Sequence, residues 1–263
     1  MTPPGALRVP RTGADERGHE HGHEHGHGHG ADHDRGDADA KGEGPGARRD
    51  NSGERPMLRG WFHVAAFVAW LVAGPFLIAA GPDAWTKVAL TVYVLAMLAM
   101  FGVSALFHRI RWSAPAWRRM RRADHSTIFV GIAGTSTAVA GLALSGWPQI
   151  LMLSLVWTGA VAGIVLRQVW LDAPQWAVAI PYVVVGWCSL IVAPQLVRAL
   201  GGVGFALMLS AGIAYTVGAL IYARKRPDPW PTVFGFHEAF HVCTVIGAGT
   251  FAYLVAFIAL PRY

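Results

Sequence analysis

Residues Val88–His108 read VALTVYVLAMLAMFGVSALFH: twenty residues without a formal charge, closed by a histidine. A bilayer core about 30 Å thick needs roughly 20 helical residues to cross it, so this run predicts a membrane-spanning helix. Six further runs repeat the pattern. They are Trp61–Ala80, Ser126–Leu144, Ile150–Leu166, Trp176–Val192, Val203–Tyr222 and Phe236–Leu260, separated by breaker residues such as Gly81-Pro82, Pro115, Gly146-Trp147-Pro148, Pro174, Pro194 and Pro227 to Pro229. The expected fold is therefore all-α, an integral membrane bundle of seven transmembrane helices over residues 57–263.

Composition agrees. Of 263 residues, 53% are hydrophobic and only 14% charged, with a mean hydropathy of +0.36. This is too apolar for a soluble globule. The net charge of +6 conceals a split. Residues 1–60 carry nine Lys/Arg against eleven Asp/Glu, and the remainder thirteen against five. The surplus of cations belongs to the membrane part, where it reports orientation and contact with acidic lipids. No nucleic-acid-binding motif is present, so membrane lipids are the expected partners and nucleic acid is not. The oligomeric state is not legible. Cys188 and Cys243 both fall inside predicted spans and suggest no disulfide framework. The first apolar run begins near Trp61, too long and too far in for a secretory signal peptide.

Residues 1–56 read as a disordered tail with little apolar surface to bury. Within it, HEHGHEHGHGHGADHD (residues 19–34) places seven histidines, His19, His21, His23, His25, His27, His29 and His33, in a tract suited to binding additional divalent metal. Ten Lys/Arg flank the apolar runs on one side: six in Arg109–Arg122, then Arg167, Arg224, Lys225 and Arg226. Arg48, Arg49, Arg55 and Arg59 join them, whereas the opposite side has Lys87, Arg198 and Arg262. The positive-inside rule then predicts a cell-membrane protein with a cytoplasmic N-terminus and an extracytoplasmic C-terminus. The arginine-rich stretch between the second and third runs, with Trp112 and Trp117, is expected as a loop on the inner-leaflet headgroups.

Ionisable residues at the ends of apolar helices are costly and mark function. This topology sends His108, Asp124, His237 and His241 to the same face of the membrane. Ser104 lies one turn deeper than His108 (i and i+4), and His237 and His241 share one face of the last helix. Three neutral imidazoles suit a catalytic Zn²⁺ with one open position, whose water would ionise near pH ~7. Asp124 is placed to take a proton or to orient a histidine, and Ser104 to hydrogen-bond a water or a substrate oxygen. His237–His241 also matches the metalloprotease pattern H-E-x-x-H, in which Glu238 would be the general base. That chemistry needs a distant acidic ligand in an Asp-Gly context, which the chain does not supply. Thr135, Ser136 and Thr137 are expected to hydrogen-bond between helices or to line a headgroup pocket. Gly159 and Gly163 are expected at a close helix contact. His63 is read as structural.

Taken together, Ser104-Ala-Leu-Phe-His108, Asp124-His125 leading into Ile132-Ala-Gly-Thr135-Ser-Thr137, and His237-Glu-Ala-Phe-His241 resemble the hemolysin III family, which belongs with the progestin and adipoQ receptors. The resemblance begins at Arg55-Pro-Met-Leu-Arg59-Gly and runs from Pro56 to Phe257. It implies a seven-helix bundle, zinc held by His108, His237 and His241, and Asp124 near the metal's water with Ser104 beside it. By likeness to receptors and alkaline ceramidases, it also implies hydrolysis of lipid amides. The chain departs from the family at Phe107, Ser136, Ala138 and Phe251, where tyrosine, tyrosine, proline and histidine are common. Three functions stay open at this point: a zinc-dependent hydrolase of lipid amides or esters, a non-enzymatic regulator or receptor-like protein with structural zinc, and a cytolysin. No lytic amphipathic segment supports the last.

Overall fold

The computed structural model describes residues 56–263. The histidine-rich tract lies outside the described residues. Among the described residues there are seven α-helices and no β-strand: α1 (Trp61–Ala79), α2 (Ala84–Arg109), α3 (Ala114–Ala143), α4 (Gly146–Val169), α5 (Gln175–Trp187), α6 (Ala193–Arg224) and α7 (Phe236–Tyr253). A 3₁₀ stretch, Cys188–Val192, joins α5 to α6, and α7 continues through a π-helical segment, Leu254–Ala259. Among the described residues, six helical runs are long and apolar enough to cross a membrane.

The expected fifth and sixth spans thus lie in one helical run, Gln175–Arg224, of 50 residues. A straight helix of that length would reach about 75 Å, far beyond one crossing. The run does not stay straight. Gly201 sits inside α6 at φ 69° and ψ 173°, a conformation that breaks the helix and that residues with a Cβ rarely adopt. The indole N–H of Trp187 then donates to the Thr216 hydroxyl at 3.0 Å, across 29 residues of sequence. The chain therefore doubles back near Gly201. The continuity escaped the sequence reading because Pro194, taken as a break, stands in the first turn of α6, where a helix needs no donor from it.

The stretch expected as a headgroup loop is also corrected. Pro115 occupies the first turn of α3, which runs helically through Arg118, Arg119, Arg121 and Arg122 into the apolar segment. Charge density was mistaken for a loop, although proline near a helix start promotes one. Asp124 consequently lies in the third turn of a 30-residue helix rather than at its beginning.

The central helix is α3. Its glycines Gly131, Gly134 and Gly141 lie on α2, and a Cβ at Gly134 would overlap the Ala96 methyl. That contact brings α2 and α3 close enough for Ser104 and Asp124 to meet. Gly163 likewise packs on the Phe129 ring and Gly159 on Val185, so the expected close contact of α4 is internal to the chain. Large apolar side chains such as Val72, Phe76, Leu95, Val165 and Val184 face outward and are more than half exposed, a surface suited to lipid rather than water. Trp61, Trp85, Trp147, Trp170 and Trp176 stand exposed near helix ends, the interfacial positions predicted for them. Asp83 caps α2, its carboxylate accepting the Thr86 N–H at 3.0 Å, and this bond lowers its pKa below the ordinary carboxylate value. Both cysteines are free.

Candidate metal centre

The last turn of α2 carries His108, and the first two turns of α7 carry His237 and His241. All three are buried, and one ring nitrogen from each lies within 4.8 Å of the others. The Nε2 atoms of His108 and His237 are 3.2 Å apart. Ring centroids are separated by 4.7 Å for His108 and His237, 5.0 Å for His108 and His241, and 4.6 Å for His237 and His241. The group can hold a metal ion. Tetrahedral coordination with zinc–nitrogen bonds of about 2.05 Å places ligand nitrogens roughly 3.3 Å apart, close to the His108–His237 separation. Without an ion, only one proton can be shared between those two nitrogens, and the Nδ1 atoms of His237 and His241 have no hydrogen-bond partner among the described residues.

Asp124 comes from α3, with its Oδ2 4.0 Å from His108 Nε2. Ser104, one turn before His108, is buried and lines the same cavity as Asp124. The structure thus brings together all five residues singled out from sequence, at one end of the bundle. A cavity opens from them, with an empty volume of about 1340 Å³ counting the part open to the outside. His237 and Asp124 lie at one end; Thr135, Ser136, Met208 and Phe251 line the deeper wall. Phe251 is ten residues past His241 on one helix, and Ser136 twelve past Asp124, so the cavity runs roughly 15–18 Å along the helices. The expected roles of the Thr135–Thr137 segment divide. Thr135 bonds back to the Gly131 carbonyl while lining the cavity, and Thr137 accepts the Trp157 indole N–H from α4 at 3.1 Å.

The sequence reading missed three supports. Arg59 is buried and its guanidinium donates to Glu238, which is fully buried at 0% exposure. The other Glu238 oxygen accepts the Gly235 N–H at 2.9 Å, capping α7. Both oxygens are thereby engaged in holding the start of α7. His63 is also far from partnerless. Its ring stacks on His241, and its Nε2 lies 3.0 Å from Thr244 Oγ1. The His125 backbone carbonyl accepts the Tyr182 hydroxyl at 2.9 Å, and its ring lines the cavity. An imidazole two residues inside an apolar helix was the available signal for His63, but sequence alone does not show which helix faces it.

These features define a helical, multi-pass membrane protein with a buried three-histidine group. The chain belongs to the hemolysin III family: the family profile described as "Haemolysin-III related" matches residues 52–252. It is 30% identical to Hemolysin-3 of Bacillus cereus over 174 residues, 66% of this chain and 76% of that protein. It is 32% identical to the Hemolysin-3 homolog of Bacillus subtilis (strain 168) over 165 residues, 63% of this chain and 74% of that one.

Proposed function

We propose that the protein crosses the membrane seven times, binds Zn²⁺ through His108, His237 and His241, and hydrolyses an amide or ester bond of a membrane lipid. Seven crossings are supported by the reversal near Gly201, which turns one 50-residue run into two arms of membrane length. A cytoplasmic N-terminus and an extracytoplasmic C-terminus are supported by the asymmetry of Lys and Arg. The tail histidines would bind further divalent metal by virtue of their composition.

The hydrolase reading is carried by one observation: the histidine group, with Asp124 and Ser104 beside it, stands at the end of a long, largely apolar cavity. A divalent ion there would supply Lewis acidity toward a carbonyl and acidify a water molecule. The residues do the rest. The cavity wall takes an acyl chain and keeps bulk water from the reacting carbonyl. Water adds to the carbonyl carbon, the bond to nitrogen or oxygen breaks, and a carboxylic acid and an amine or alcohol result. Asp124 takes the proton from water and returns it to the leaving group. Ser104, beside Asp124 in the cavity, would hydrogen-bond that carboxylate or a substrate oxygen.

The test is turnover of fluorogenic N-acyl and O-acyl lipids by purified protein. Cleavage that Asp124→Asn abolishes while the protein keeps its metal supports the proposal. If no lipid amide or ester is cleaved, the hydrolase reading fails.

The same geometry also suits a purely structural ion, because it would tie α2 to α7. In that case His237→Ala with His241→Ala would unfold the bundle, rather than leave an intact inactive one.

A further inference from the structure

We infer that His63 is a positioning residue for the histidine group: by stacking on His241 and bonding to Thr244, it sets how tightly the group grips a divalent ion. The inference rests on reading His108, His237 and His241 as a metal site.

The His63 and His241 rings lie 3.8 Å apart between centroids and 8° from parallel. The pairs within the trio are instead inclined by 60–77°. A parallel contact that close allows the His241 ring little rotation about its last side-chain torsion. On another side, His63 meets Phe101 edge-on at 5.1 Å, so it cannot easily swing away.

The hydrogen bonds fix its protonation. Thr244 Oγ1 donates its single proton to the His241 carbonyl at 2.7 Å. Thr244 must therefore accept from His63, which carries its hydrogen on Nε2 and donates at 3.0 Å. Among the described residues the ligand nitrogens that lie within 4.8 Å of one another are those of His108, His237 and His241, and His63 stands outside that group as its support.

Position makes the same point. The buried stripe of α1 is His63, Ala66, Trp70 and Gly74, and His63 is its only ionisable residue. A buried imidazole costs more than an apolar residue of similar size. Four residues earlier, Arg59 pairs with Glu238. One short segment thus grips α7 at Glu238, His241 and Thr244, which are spaced three residues apart and lie along one stripe. It fixes the rotation of the helix that carries two of the three nitrogens.

The experiment is a Co²⁺ titration in detergent of the full chain with its seven tail histidines replaced by asparagine. Visible absorption reports coordination geometry, and a competing chelator gives affinity. Residues that orient metal-ligating histidines typically change affinity about 10- to 100-fold when lost. His63→Leu is expected to weaken Co²⁺ by that factor and to alter the band shape. His63→Phe keeps a stackable ring and His63→Gln keeps a donor, so each should lose less.

A His63→Leu protein that binds Co²⁺ with unaltered affinity and bands overturns the inference and leaves the metal site standing. So does one whose metal-free melting temperature falls without a change in binding. If His63→Leu does not fold, His63→Phe and Thr244→Val decide, and unchanged binding in both overturns it. A parent chain that takes up no Co²⁺ overturns both readings together.

Discussion

Replacing Arg59 with methionine should destabilise the bundle strongly, and the reason can be worked from the contact itself. The Glu238 side chain is 0% exposed and the Arg59 side chain 9%. Losing the guanidinium leaves a buried carboxylate supported, among the described residues, by the Gly235 N–H. Removing one member of a buried pair costs about 3–5 kcal/mol, most of it the penalty of the charge left behind. Glu238→Met should also be destabilising, since it removes the carboxylate to which the buried guanidinium donates. The double variant should cost much less than the sum, because both charges leave together. The assay is equilibrium unfolding in mixed detergent micelles of the parent, both single variants and the double variant, read as a double-mutant cycle. A coupling of about 2 kcal/mol or more is expected. Single variants that each cost under ~1 kcal/mol, or that add without coupling, would show that the pair behaves as a solvated surface bridge.

Other consequences follow from the same geometry. Asp124→Asn should lower lipid hydrolysis by roughly 10²- to 10⁴-fold, the range for losing a positioned acid–base group, with metal content unchanged by elemental analysis. Gly134→Val should lower the melting temperature, because the added atoms overlap Ala96; overpacking of this kind costs about 1–3 kcal/mol. Single-cysteine labelling from each side of intact cells should find the C-terminus outside and the Arg224–Arg226 loop inside. Matching accessibility at both sites would remove the seven-crossing arrangement.

The membrane character and five site residues were legible because both follow from spacing. Apolar runs of about 20 residues have one physical use, and an ionisable residue at their ends is costly enough to be informative. What was not legible depended on approach between helices. Arg59 resembled any cation flanking a span, and its contact with Glu238 is what reveals its role. His63 sits in an apolar stripe whose partner is more than 170 residues away. The start of α3 was misplaced because arginines are as compatible with a helix as with a loop, and Pro115 was read as a break instead of a beginning. A break between Val192 and Val203 was legible, but its place at Gly201 is a conformation of one residue that hydropathy does not pinpoint.

The most direct test is the metal content of the purified full chain after its seven tail histidines are replaced by asparagine. One divalent ion per chain is expected, falling to none in a variant that also carries His108→Ala and His237→Ala. A parent chain that purifies and refills with no metal, or a His108→Ala, His237→Ala variant whose metal content is untouched, would contradict the site.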